Sequence, residues 1–207
     1  MGTQLRWGDN VPDDAAAARE RLLDAAETCF ARFGVPKTTL DDVAAEASTS
    51  RATVYRYFAG RDELIVGVLL RDHRRFLQNL KVRLEAQPTF AEMLVECVLA
   101  SVEAARVDTR VRMLFVPETR RMTEEVAGAS DEILKGFAEF LRPYVQWAKA
   151  TGRLQAGIDL RTLSEWVTRV VFSFISFPGP ERSLKEQRRL LLNVFAPALA
   201  TDNPTRR

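Results

Sequence analysis

The chain has 207 residues, 46% of them hydrophobic, and a formal charge of +2. That length and apolar content suffice to bury a core as one domain or two small ones, while the near-neutral balance excludes partners chosen by bulk charge alone. The two cysteines, Cys29 and Cys97, exclude a disulfide framework, and neither belongs to a His/Cys cluster that would hold a metal.

Residues 1–12 are polar and turn-rich and read as a flexible arm, with Trp7 an anchor within it rather than a DNA contact. The opening MGTQLRWGDNVPDD lacks an apolar signal core. Asp13 or Asp14 caps a first helix whose apolar face is Leu22, Leu23, Ala26, Cys29, Phe30 and Phe33, with Gly34 as its stop. Thr39–Ala47 carries Leu40, Val43, Ala44 and Ala47 at i, i+3, i+4 and i+7, a helical stripe, and Thr39 with Asp42 has capping-box spacing. Ser50 caps the next piece, which runs through Arg51 to Phe58. Only Ser48 and Thr49 separate the two, a link that permits nothing but a sharp corner. Two short helices so joined have the pattern of a helix-turn-helix. From Arg61 a long helix runs to just before Pro88: Leu64, Val68 and Leu69 close a first core, and Phe76, Leu77, Leu80 and Leu84 face a second. Such a helix is a mechanical link between two cores.

Beyond Pro88 the chain reads as apolar helices punctuated by Pro and Gly. They are Thr89–Val107, a short Asp108–Val116, and a segment from Glu118 to about Thr151 with Gly128 a break and Pro143 a kink. Leu160–Phe177 and Ser183–Ala200 follow, and 201–207 read as a disordered tail. The last two helices are apolar nearly all round. Trp166, Val170, Phe174, Leu184, Leu191 and Phe195 are therefore candidates for a dimer interface, in which two helices from each protomer pack about a two-fold axis. The scarcity of strand-like alternation makes the whole all-α: an N-terminal three-helix domain (13–63) and a larger helical C-terminal domain (64–200).

The second short helix is polar for a core element. From Thr49 to Arg61 there are three arginines and no acid, although 1–62 hold eight basic residues against ten acidic. Positive potential is thus local. In a major groove Arg51 can donate a bidentate pair to guanine, and Ala52 can touch a thymine methyl. The hydroxyls of Thr53, Tyr55 and Tyr57 can donate to phosphates, and Arg56 is a second reader whose face depends on the roll of the helix.

The span Leu22–Leu64, with its Phe33-Gly34 ending, Thr-Thr pair and Thr-x-Tyr-x-Tyr-Phe run before Arg61-Asp-Glu-Leu, resembles the N-terminal domain of the tetracycline-repressor (TetR) family of transcriptional regulators. The resemblance implies that Thr53, Tyr55, Tyr57 and Arg61 hold the DNA backbone and that Thr39 anchors the first helix of the motif. It implies a homodimer on a near-palindromic, double-stranded operator, released by a small effector bound in the C-terminal domain. Phe76, Met93, Cys97, Met113, Phe115, Phe137, Phe140, Tyr144, Trp147, Trp166 and Phe172 would line that pocket, whose composition suits a hydrophobic or amphipathic molecule. One departure stands out. The family usually has Gly-Val where this chain has Ser48-Thr49, and a left-handed Ser48 carries about 1–2 kcal/mol of strain relative to Gly.

No nucleophile, phosphate loop or His partner for the lone His73 suggests an enzyme or a cofactor. The longest apolar run, Val170–Phe177, is far short of a membrane span, so a cytoplasmic protein is expected. The residues alone also allow a C-terminal domain that only dimerises, or a helical protein adaptor.

Overall fold

The computed structural model of the chain describes residues 7, 11–107, 124–177, 179–202 and 204. The described elements are helices, and Leu154 and Ala200 form an isolated strand-like bridge. The fold is all-α, an N-terminal helix-turn-helix domain followed by a helical C-terminal domain. Two compact units result. The first runs to Arg71 and takes in Thr123–Ala129, and the second is the remainder.

In the first unit, α1 (Ala15–Phe33) starts at Asp14, whose carboxylate accepts from the Ala17 N–H at 2.7 Å, and stops at Gly34, where φ is 81°. A 3₁₀ turn (Val35–Lys37) leads to α2 (Leu40–Glu46), α3 (Arg51–Tyr57) and α4 (Arg61–Glu85). Leu22, Leu23, Ala26 and Phe30 of α1, Leu40, Val43 and Ala44 of α2, Val54 and Phe58, and Leu64, Ile65, Val68 and Leu69 of α4 are all buried. Close packing depends on Gly67, where an added Cβ would lie 3.0 Å from Leu23 Cδ2 and 3.1 Å from Phe58 Cε1.

Arg71 is buried beside α1, with Nη1 3.0 Å from Glu20 Oε2 and 2.8 Å from Asp24 Oδ1, and Nη2 2.6 Å from Glu27 Oε1. Burial is the largest single influence on this guanidinium and opposes its charge. The hydrogen bonds and attraction of the acids outweigh that influence, so its pKa stays above the ordinary value. Trp7 is the anchor expected of it within the arm. It is buried, edge-on to Tyr57 at 6.2 Å, and its carbonyl accepts from Arg21 Nη2 at 3.1 Å. An indole that finds apolar contact gains more than one left in water.

The second unit is built on α5 (Phe90–Val107), twelve of whose eighteen residues are buried. Around it are α6 (Glu124–Ala150), which belongs to this unit from Ser130 onward, α7 (Leu160–Ser176) and α8 (Leu184–Leu190), which continues as a π turn (Leu191–Phe195) and a 3₁₀ turn (Ala196–Ala198). Three expectations are corrected. Gly128 does not break the helix, because the roughly 1 kcal/mol penalty of an interior glycine is readily overridden by the rest of a long helix. The expected single helix Ser183–Ala200 changes winding before Pro197, which has no N–H for an i−4 bond. The Ala196 N–H reaches Leu191 O instead, a π-type bond. The tail is held at its start: Asp202 accepts from the N–H groups of Phe90 (2.8 Å) and Ala91 (3.1 Å), capping α5 from 111 residues and more away. The short helix expected at 108–116 lies outside the described residues.

His73, on α4 within this unit, is mostly enclosed. Its Nε2 is buried with no hydrogen-bond partner among the described residues, and a Cβ on Gly136 would lie 3.3 Å from it. Burial, helped by the Arg74 charge, lowers its pKa to about 4. Between pH 6.5 and 4 the unfolded chain therefore binds a proton at this site that the folded chain refuses, so stability falls as pH falls through that window. His73→Gln should remove a loss of about 3 kcal/mol over that range, since each tenfold difference in proton affinity between the two states is worth about 1.4 kcal/mol. Urea melts of both proteins at pH 7 and pH 4 test this, and parallel losses would refute it.

Candidate nucleic-acid interface

The geometry of the motif begins at the entry to α2. Asp42 Oδ2 accepts from the Thr39 N–H (2.8 Å) and Thr39 Oγ1 (2.7 Å), while Thr39 Oγ1 accepts from the Asp42 N–H (3.2 Å): a complete capping box. These hydrogen bonds hold the Asp42 carboxyl below its ordinary pKa. Thr39 is exposed beside α2, but its hydroxyl proton is already given to Asp42.

The corner after α2 is a Schellman motif. The Ser48 N–H bonds Ala45 O at 3.0 Å, the Thr49 N–H bonds Ala44 O at 2.8 Å, and Ser48 has φ 54°, the one left-handed non-glycine among the described residues. The departure from glycine thus falls on the residue that needs glycine's freedom, and the turn forms all the same. Ser50 then caps α3 through its hydroxyl, which accepts from the Thr53 N–H at 3.2 Å.

On α3 the expected contact residues divide between two faces. Arg51, Ala52, Tyr55 and Arg56 are exposed at i, i+1, i+4 and i+5, a single outward face. Val54 faces the core together with Thr53, whose side chain was expected to reach phosphate. Thr53 is only 4% exposed, and its Oγ1 sits 2.9 Å from Ser50 Oγ, because its position on the helix shares the inward side with Val54. Tyr57 is half-buried against Trp7, and its carbonyl accepts from Arg19 Nη1 at 2.7 Å. Arg61 is likewise engaged. Its Nε donates to Thr38 O at 2.9 Å and its Nη2 to Val35 O, so it fastens the loop before α2. Its expected backbone contact must compete with those two carbonyls.

Arg51 is held at the edge of this face. Its Nη1 lies 3.1 Å from Asp41 Oδ2, its Nη2 donates to Tyr55 Oη at 3.3 Å, and its guanidinium carbon stands 5.5 Å from the Tyr55 ring centre. The Tyr55 hydrogen bond, then the Asp41 charge, raise its pKa above the ordinary arginine value. Reasoning from the sequence missed Asp41 in this role; an acid ten residues before an arginine has no local spacing that announces a pair.

In the second unit the expected pocket residues part company. Cys97 and Phe137 are buried, and Phe76, Met93, Phe140 and Tyr144 pack against the same core. Phe137, Phe140 and Tyr144 form a row along α6, with ring centres 6.4 Å and 5.6 Å apart. Burial pushes up both the Cys97 thiol and the Tyr144 hydroxyl. Trp147 is instead at the surface, edge-on to Phe90 at 6.4 Å and covered by Arg153 at 4.5 Å. Trp166 is 54% exposed, and Phe172 faces an open groove of about 1110 Å³ between α6 and α7. Helical position explains both, since each lies off the α7 stripe Leu163, Val167 and Val171 that fills the core. Met113 and Phe115 lie outside the described residues.

Of the dimer candidates, Trp166 and Leu184 (67%) are exposed, and Val170, Phe174 and Phe195 are half-buried. Leu191 is corrected to a core residue at 2% exposure, where the π turn rotates it inward.

The family model described as "Bacterial regulatory proteins, tetR family" matches residues 22–68. An uncharacterized HTH-type transcriptional regulator of Mycobacterium tuberculosis is 27% identical, over 87% of this chain and 84% of its own length. In fold, the chain is similar to the transcriptional regulator FadR from Bacillus subtilis in complex with stearoyl-CoA (TM-score 0.60, 18% identity, 83% of this chain and 96% of that one). It is also similar to a SmeT–triclosan complex (TM-score 0.58, 24% identity, 90% and 93%). Among the described residues no helix is long and apolar enough to cross a membrane.

The Ser48 turn makes a prediction of definite sign. Ser48→Gly relieves left-handed strain but adds freedom to the unfolded chain, leaving a net gain of about 0.5–1 kcal/mol. Ser48→Val, β-branched at positive φ, should lose about 1–2 kcal/mol. Shifts of the urea midpoint at unchanged slope measure both, and a valine variant as stable as the wild type would overturn the strain account.

Proposed function

We infer that this chain, a member of the TetR family of DNA-binding transcriptional regulators, is a repressor that grips a near-palindromic operator as a homodimer and releases it when a small hydrophobic effector binds its second unit. The observation that carries the DNA reading is the division of α3. Val54 and Thr53 are spent on packing, while Arg51, Ala52, Tyr55 and Arg56 share one unpacked face. A face of two arginines, a tyrosine and an alanine small enough for close approach suits a major groove. Arg51 would read a guanine and Tyr55 would reach a phosphate. Thr39 and Tyr57, at the two flanks, would position the motif, and Arg61 would hold the loop beneath it.

Two copies of the motif are needed to read a near-palindrome. Trp166, Leu184, Val170 and Phe174 offer apolar surface for the second copy, in line with the two-fold arrangement expected from their sequence. For the effector, Phe76, Met93, Cys97, Phe137, Phe140 and Tyr144 gather aromatic and sulfur-bearing side chains in one region, and methionine adapts to varied apolar shapes. The acyl and phenolic ligands named for the FadR and SmeT complexes belong to the same apolar or amphipathic class. An effector of that class acts by binding the DNA-incompetent state better than the competent one.

Binding to a duplex enriched from genomic fragments should weaken as salt rises. Arg51→Ala should lose about 1–3 kcal/mol on that duplex and little on random DNA. Equal losses on both, in a filter-binding titration, would remove Arg51 as a reader. Melting the protein with stearoyl-CoA, palmitate or triclosan should raise its midpoint with at least one of them. A midpoint unmoved by a broad hydrophobic panel would leave the second unit a dimerisation block.

A further inference from the structure

We propose that Asp41 is a specificity residue for DNA: its carboxylate holds the Arg51 guanidinium away from phosphates and in place for a base edge. The proposal rests on the DNA reading of α3 above.

The capping box of α2 employs Asp42 and Thr39 alone, so Asp41 is not needed to start the helix. Its side chain instead crosses the corner to the first residue of α3, with Oδ2 3.1 Å from Arg51 Nη1. Both partners are largely exposed, on the side where the outward face of α3 begins. Tyr55 takes the other terminal nitrogen at 3.3 Å and lies under the guanidinium. A long, flexible arginine is thereby fixed at two points, and the fork retains donors not used by either partner.

On an arbitrary duplex, an unrestrained arginine would turn to the nearest phosphate, a contact that holds every sequence equally. Asp41 opposes that in two ways. It occupies Nη1, and its own negative charge repels the phosphates that Arg51 would meet. Where the right base is present, the restrained fork meets guanine O6 and N7 without a further loss of rotamer freedom, and that gain offsets the repulsion. The acid therefore weakens binding to random DNA more than binding to the operator. This is discrimination by a built-in penalty against the wrong partner. The neighbouring acids on α2 do not share the role: Asp42 is committed to Thr39, and among the described residues no contact joins Glu46 to Arg51.

The test is selection from a random duplex library (about 30 base pairs, enough for two half-sites a helical turn or more apart) by the wild type, Asp41→Asn, Arg51→Ala and the double variant, followed by titration of the enriched duplex and a random duplex. Asp41→Asn keeps the shape of the side chain and leaves the capping box untouched, and a thermal melt near the wild type's confirms folding. The expected result is that Asp41→Asn binds the random duplex about three- to tenfold tighter, with a salt slope steeper by about one phosphate contact. Its operator-to-random ratio should fall by a similar factor, and its selected sequences should lose definition at the positions Arg51→Ala also blurs. In the Arg51→Ala background, Asp41→Asn should leave the ratio unchanged, the mark of an effect that acts through Arg51. An unchanged ratio in the single variant, or an equal fall in the Arg51→Ala background, overturns the proposal. A wild type that enriches no sequence and retains no duplex overturns the DNA reading and the proposal together.

Discussion

The first unit depends on a single buried guanidinium. Glu20, Asp24 and Glu27 lie at i, i+4 and i+7 along α1 and converge on Arg71 of α4. The hydrogen bonds and charges of these three carboxylates together outweigh the cost of enclosing the guanidinium, which is why the arginine remains ionised despite its burial. One turn earlier, Gly67 brings α4 against Leu23 and Phe58. At the start of α4, Arg61 holds the carbonyls of Val35 and Thr38. Helix α4 is thus referenced to α1 and to the loop before α2, and α3 takes its pose from what remains. The first unit reaches Arg71 and no further along α4, so the ionic clamp closes the body that carries the outward face of α3.

That face is defined by subtraction. Once Val54 and Thr53 have gone to the core and Tyr57 has met Trp7, four residues on α3 remain for a partner, and one of them is oriented by an acid from α2. The contacts within the motif therefore do two things at once: they hold the helices together and decide which donors stay available.

The second unit is tied in a different way. Its central helix receives its N-cap from Asp202 near the other end of the chain, and its buried Glu96 accepts from Arg83 of α4 (2.6 Å) and Arg188 of α8. An acid enclosed among apolar neighbours requires such partners, since burying an unpaired carboxylate is far costlier than forming the pairs. Two remote arginines and one remote aspartate thus brace the helix that makes most of the unit's core.

Local pattern was enough for much of this. The capping box of Thr39 and Asp42, the Ser50 cap, the Gly34 stop, the long helix from Arg61 and the apolar stripes are set by residues within a turn or two of one another, and they stand as expected. Helical period could not tell Thr53 from Tyr55, because the face an amphiphilic short helix presents is chosen by what packs against it. Nor could it tell that Arg61 serves two carbonyls, that Leu191 turns inward, or that Trp166 and Trp147 point out. The helices, their caps, the sharp corner and the polar character of α3 were legible in residue order, since those rest on short-range hydrogen bonds and apolar spacing. Packing settled which arginine is a clamp and which acid stands beside Arg51. Those assignments depend on charges ten to more than ninety residues apart, brought within 4 Å by the packing of a core that no local pattern describes.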